Sequence, residues 1–342
     1  MLTRYLSAFG LPSPAQPHVA AAPQRFPDGG AFRVEIPSVE GPEALMAVFK
    51  AAHDLDVPVH RVSQGSGVMM LSDTEITAMV DQCAEERVEL CLFLGPRGTW
   101  DIGAGTQSPS GGGGIRARGS RQLWHSIDDA QRAVELGVTC LLVGDEGTLW
   151  ALHQLREAGH LPSHLTLKVS ALAGPSNPAA FRVLEGLGAD SVNIVGDLTI
   201  EQMAEIRAAG TAALDVYVES PDDVGGFVRH HDAPDIVRHV APVYLKFGVR
   251  NAPPIYPAGE HLMPLVLGLA RERVRRARLC LDLLEREGLA ESMSPQGNTA
   301  LPAVRRLALA GTTDATPEAP GSDRLGASAP EDTPPTNTLE RA

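Results

Sequence analysis

From about residue 32 the chain repeats one unit eight times: a short β-branched run, a turn, and a stretch with helical periodicity. The runs are FRVEIPS from Phe32, VHRVSQG from Val59, VELCLFLG from Val88 and TCLLVGDE from Thr139. LTLKVSA from Leu165, SVNIVGDL from Ser191, ALDVYVES from Ala213 and PVYLKFG from Pro242 complete the set. Eight such units in roughly 250 residues match the length and rhythm of a (β/α)8 barrel. A doubly wound open sheet is the alternative, but the turn after its first strand would read PSVEGPEAL, which carries no glycine-rich phosphate fingerprint. The expected architecture is therefore a (β/α)8 TIM barrel over residues 31–290. Residues 1–30, rich in Pro and Ala, form an N-terminal arm or cap, and residues 291–342 form a mostly disordered tail poor in large apolar side chains.

Helix boundaries carry their own signals. Ser72 with Glu75 and Thr199 with Gln202 have the capping-box spacing, and Gly137, Gly159, Gly188 and Gly210 fall where helices should stop. The last helical region, about residues 260–288, is unusually long. Its basic run ARERVRRAR points either to a homodimer contact through this C-terminal helix or to a solvated face.

Composition restricts the partners. A net charge of −13 argues against nucleic acid and against an anionic membrane surface. No run of eighteen apolar residues reads as a membrane span. The first residues make a poor secretory signal, and the four cysteines, Cys83, Cys91, Cys140 and Cys280, lie apart in apolar contexts. A cytoplasmic protein with reduced thiols is expected.

Lysine is the rare cation. Only three of 29 basic residues are Lys, and two of them, Lys168 and Lys246, sit inside apolar strands. Lysine in a dry site suits proton transfer or imine chemistry, which arginine does not. Side-chain parity extends the argument. The strand face under the helices must be apolar, so the polar parity points into the barrel. Glu35, Arg61, Lys168, Asn193, Asp215, Tyr217, Glu219 and Lys246 then converge from six strands. An ion-pair network in the barrel floor is one reading of this set, and a polar active-site basin is the other.

On the basin reading, Lys168 and Lys246 polarise the substrate or form an imine, with Glu219 and Tyr217 as proton donors and acceptors. Arg61 and Arg97 hold an anionic substrate group, supported by Glu35, Asn193 and Asp215. The glycine-rich segment after the third strand is either a segment that closes over the substrate, bringing Arg116 or Arg118, or a disordered excursion. No cofactor is expected. Glu35, Glu146, Asp197 and Glu219 are weak candidates for holding Mg²⁺ or Mn²⁺, chiefly Glu146 and Asp197. No zinc motif and no GxSxG elbow is present.

The stretch GADSVNIVGDLTIEQMAEIRAAGTAALDVYVES, Gly188 to Ser220, resembles the pattern of peptidase family U32. There, a strand ending in an acidic-Leu pair leads into a Ser/Thr-capped helix and a further strand. VEIPSVEGPEALMAVFKAAHDLDVPVHRVSQG is similar in rhythm to that family's first repeat. The resemblance implies a U32-like barrel with a peptidase-like activity. It carries one acidic position across, Asp197, and the family's cysteine motif is absent. The expected function is a U32-like barrel enzyme acting on a small polar, anionic substrate by lyase, aldolase or isomerase chemistry. A metal-assisted hydrolase and a non-catalytic ligand- or partner-binding barrel are the alternatives.

Overall fold

The computed structural model describes residues 17–95, 115–304 and 306. Eight parallel strands close into a barrel in sequence order: β1 (Phe32–Pro37), β2 (Arg61–Ser63), β3 (Glu89–Phe93), β4 (Cys140–Val143), β5 (Thr166–Val169), β6 (Ser191–Asn193), β7 (Ala213–Glu219) and β8 (Val243–Phe247). The ring closes where Glu35 of β1 lies beside Lys246 of β8. Each strand is followed by a helix: α1 (Pro42–Leu55), α2 (Asp73–Glu86), α3 (Gly119–Glu135), α4 (Glu146–Glu157), α5 (Pro178–Gly186), α6 (Ile200–Ala209), α7 (Ala233–Val240) and α8 (Met263–Arg286). The fold is a (β/α)8 barrel.

Local chemistry sets the boundaries. Both capping boxes form: the Ser72 hydroxyl accepts from the Glu75 amide at the start of α2, and Thr199 accepts from Gln202 at the start of α6. Gly137, Gly159 and Gly188 end their helices with φ in the left-handed region. Gly210 does not: its φ is −156°, and it is required because a Cβ there would strike the buried Glu185 carboxylate. The outward strand residues, such as Val34, Ile36, Leu167, Val216 and Leu245, are buried under the helices in one continuous apolar layer.

The inward residues stack in layers drawn from alternate strands, as the stagger of such barrels requires. At the amino end, Tyr244 and Arg61 lie above a plug formed by Phe26 and Arg33. The Arg33 guanidinium stacks 3.9 Å from the Phe26 ring and donates to Asp28 and Tyr244. The N-terminal arm thus ends as a cap on the barrel floor.

One expectation at the carboxyl end needs correction. Residues 291–304 are not a loose tail. Ser294 accepts a hydrogen bond from His60 through its carbonyl and from Arg33 through its hydroxyl, and Leu301 packs against the Phe26–Tyr244 cluster. The compact unit therefore extends past residue 290 because the barrel floor needs this segment to cover it. Residues 307–342 lie outside the described residues. Along the basic run of α8, much of the charge is paired within the helix itself. Arg278 pairs with Asp282 and Glu285, Arg275 and Arg276 pair with Glu272, and Arg273 is buried. Among the described residues, no helix is long and apolar enough to cross a membrane.

Candidate functional site

The middle interior layer holds Glu35, Cys91, Lys168 and Asp215, and the layer above it holds Ser63, Leu142, Asn193 and Lys246. Strand alternation put all eight polar residues on the inside, and the structure brings seven of them together. Lys168 bridges Glu35 and Asp215, the latter at 2.8 Å. Arg61 reaches Glu89 at 2.5 Å, Asp215 at 3.1 Å and Glu35 at 3.5 Å, with its plane 3.8 Å from the Tyr244 ring. Lys246 lies 3.3 Å from Glu35 and donates to the Asn193 amide oxygen at 2.6 Å. Asn193 in turn donates to the Val169 carbonyl.

Among the described residues, three cations (Arg61, Lys168, Lys246) face three carboxylates (Glu35, Glu89, Asp215) in this column. Burial alone would push the Glu35 carboxyl up. The Lys168 ammonium, then Lys246 and Arg61, outweigh it and hold that carboxyl well below the usual range. Charge balance is what lets ionised groups persist here.

Depth separates the two lysines. A cavity of about 250 Å³ opens at the carboxyl-terminal mouth of the barrel, the end where barrel enzymes place their chemistry. Lys246 and Ser63 form its floor, and Tyr217, Ser170 and Pro37 form its first ring. Lys168 is fully buried one layer below and does not line the cavity. Arg61 lies deeper still. Lys168, Arg61, Asp215 and Glu35 therefore form a buried ion-pair network, and Lys246 and Tyr217 line the cavity above it. Arg61, placed by sequence as an anion holder, does not line this cavity: it is fully buried below it, with Nε on Glu89 and Nη1 on Asp215.

Glu219 is the residue that parity misplaces. The β7–β8 register shifts between Tyr217, opposite Lys246, and Glu219, opposite Phe247. One extra residue on β7 reverses the alternation, so Glu219 shares the outer face with Phe247. Its carboxylate meets His230 at 3.3 Å, Arg276 of α8 at 3.6 Å and the Arg250 amide at 2.9 Å. It is a structural carboxylate outside the barrel.

The remaining candidates are scattered. Arg97 and most of the glycine-rich segment lie outside the described residues, and Arg116 is paired with Glu146 at the start of α4. Asp197 is exposed. Glu35, Glu146, Asp197 and Glu219 thus occupy four separate surroundings. Among the described residues, no group of three or more His, Cys, Asp or Glu side chains is arranged to hold a metal ion.

Several site residues escaped the sequence reading. Ser38, just past β1, has φ of 61°, a strained value for a residue with a side chain. It is held there by a hydroxyl contact with Tyr256 and by Arg273 of α8 donating to its carbonyl. Tyr256 comes from the loop after β8 and closes the same side of the cavity. Asp223 lines the mouth, where partial shielding and neighbouring Asp222 raise its carboxyl. Positive φ at Ser38 and the path of a long loop leave no trace in strand periodicity.

No protein-family model matches the chain, and no curated protein is similar to it in sequence. Solved structures that it is similar to include a U32 peptidase, at 16% identity over 68% of this chain and 98% of that one, with a TM-score of 0.39. A putative fructose-1,6-biphosphate aldolase from Coccidioides immitis shares 16% identity over 77% and 93% of the two chains, with a TM-score of 0.47. A putative copper homeostasis protein from Streptococcus agalactiae shares 15% over 63% and 98%, with a TM-score of 0.42. Likeness of this degree assigns no activity, and the chemistry must come from the cavity itself.

Chemically, the cavity has one amine at its floor. Lys246 Nζ donates to the Asn193 amide oxygen and lies 3.3 Å from Glu35, and Lys246 lines the cavity. Nζ also lies 4.4 Å from the centre of the Tyr217 ring. Burial, reinforced by the Glu35 carboxylate, pushes the Tyr217 phenol up, so it stays protonated.

Proposed function

We propose that this protein is a lyase-type barrel enzyme acting on a small carbonyl compound, with Lys246 meeting the carbonyl oxygen and Tyr217 supplying a proton. The observation that carries this reading is the placement of Lys246. It is a lysine amine lining a mouth-facing cavity, donating to Asn193 and 3.3 Å from Glu35.

A carbonyl oxygen accepting from that ammonium is polarised, and negative charge that develops on it as a bond at the neighbouring carbon breaks is stabilised. The surroundings are dry and fixed, so the interaction costs no reorganisation when charge appears. The Tyr217 phenol stands beside the same amine and can protonate the oxygen or the released carbon. Lys168, Arg61 and Asp215 hold Glu35 in place and act through it as positioning residues.

The test is ligand-induced thermal stabilisation by a panel of aldehydes, ketones and 2-oxo acids, with turnover measured for each binder. Wild-type protein is expected to be stabilised and Lys246→Met is not. Equal stabilisation of the two proteins by every compound would overturn the reading. Borohydride treatment with bound ligand then separates polarisation from imine formation, since only an imine leaves a reduced adduct on Lys246.

A further inference from the structure

Barrel enzymes that take phosphorylated substrates commonly bind the phosphate with backbone amides of the loops after the seventh and eighth strands. In this chain several of those amides are already occupied by its own groups. The Arg250 amide donates to Glu219 at 2.9 Å, and the Asn251 amide donates to Asp222 at 2.9 Å. The Gly248 amide donates to the Glu219 carbonyl at 2.7 Å, and the Gly226 amide to the Pro221 carbonyl. The Arg250 side chain lies 3.4 Å from Asp222. The corner is therefore filled with carboxylate, and Asp223 carries a further negative charge to the cavity wall.

The rest of the cavity has two unlike sides. Ser38, Ser63, Gln64 and Tyr256 make the β1–β2 side polar. On the β3–β5 side, Phe93, Ile115, Leu142 and Leu172 form an apolar wall, and Leu172 is left 55% exposed at the rim. Phe93, Ile115 and Leu142 pack as one cluster over Cys91 and Cys140, so the wall is continuous down to the level of Lys246. Exposed apolar surface beside a buried amine is what a ligand with a polar head and an apolar substituent would cover.

We infer that the substrate carries no phosphate and is a carbonyl compound with an apolar substituent of a few carbons. Its carbonyl lies on Lys246 and its substituent on the Phe93–Leu142–Leu172 wall. This rests on the function proposed above and narrows the substrate class at the same site. Each methylene buried on the wall strengthens binding about fourfold, so three carbons are worth on the order of 50-fold.

Calorimetry on the full chain with two matched series tests it. One series is acetaldehyde, glycolaldehyde phosphate and 3-methylbutanal; the other is pyruvate, phosphohydroxypyruvate and 4-methyl-2-oxopentanoate. The branched member of each series is expected to bind on the order of 50-fold tighter than the smallest, by the same area argument, and the phosphorylated member no tighter than the smallest. Leu142→Asn should narrow the ratio between branched and smallest members. A phosphorylated compound binding tightest, with that binding lost in Lys246→Met, would overturn the substrate class while leaving the carbonyl function standing. Binding of all six compounds unchanged in Lys246→Met, or of none to either protein, would instead remove the function on which the class depends.

Discussion

Replacing Lys168 by Met removes one cation from a column that holds three cations and three carboxylates. Glu35 and Asp215 lose one of the two cations they share, keeping Arg61, and both side chains are fully buried. Met fills most of the lysine stem's volume, so the cost is electrostatic rather than a cavity. Removing one partner of a buried ion pair typically costs about 3–5 kcal/mol because the remaining charge is left uncompensated. The second arm is the double variant Lys168→Met with Glu35→Gln, which leaves two cations and two carboxylates. It should cost no more than Lys168→Met alone, whereas independent sites would add to within about 0.5 kcal/mol. Urea unfolding followed by far-ultraviolet circular dichroism reads both, provided the slope with denaturant is unchanged. A Lys168→Met cost below about 1 kcal/mol, the range of an exposed pair, would refute the claim that this network is dry. So would strict additivity in the double variant.

Further outcomes follow from the same geometry. His60 is buried, accepts from the Val34 amide through Nδ1 and meets the Ser294 carbonyl at 2.8 Å, and burial lowers its pKa to about 4. The unfolded chain therefore binds this proton first. Stability falls as pH drops from about 6.5, by about 3 kcal/mol once pH nears 4, and the fall levels off below that. Urea midpoints measured between pH 7 and 4 should drop more steeply for wild type than for His60→Gln, and parallel curves would contradict the assignment. Glu219→Gln should leave carbonyl-ligand affinity within about twofold and lower stability by about 1–2 kcal/mol. Tyr217→Phe should do the reverse, reducing turnover with little change in urea midpoint, and equal effects on turnover would place both carboxylate and phenol in the cavity. A chain ending at residue 290 loses the Ser294 partners of His60 and Arg33 and the Leu301 cover of the floor, so its melting temperature should fall by 10 °C or more, about 3 kcal/mol or above. Unchanged melting would mean that this segment only rests on the surface.

The barrel was legible because eight β-branched runs and their caps all signal the same architecture. The interior set was legible because strand alternation is a local property: Glu35, Arg61, Lys168, Asn193, Asp215, Tyr217 and Lys246 all face inward as parity requires. Depth was not legible. Whether Lys168 or Lys246 reaches the cavity depends on the stagger between strands, and a single strand carries no record of its height relative to its neighbours. Glu219 failed for a related reason. The register shift after Tyr217 is a relation between β7 and β8, so the sequence of β7 alone predicts unbroken alternation. Glu89 was overlooked because it begins its strand, yet it is the nearest carboxylate to Arg61. Ser38, Tyr256 and Arg273 come together only through tertiary contacts between β1, a loop and α8.

Phe26, Arg33 and Tyr244 seal the far end of the barrel, so the cavity above Lys246 is a blind shaft. Anything that reaches the amine enters head first and leaves by the way it came. A bond-cleaving reaction in such a shaft has to discharge its two fragments in sequence, the outer one before the one still seated on Lys246. Its kinetics would carry that order: the inner product competes with substrate, and the outer product inhibits without competing.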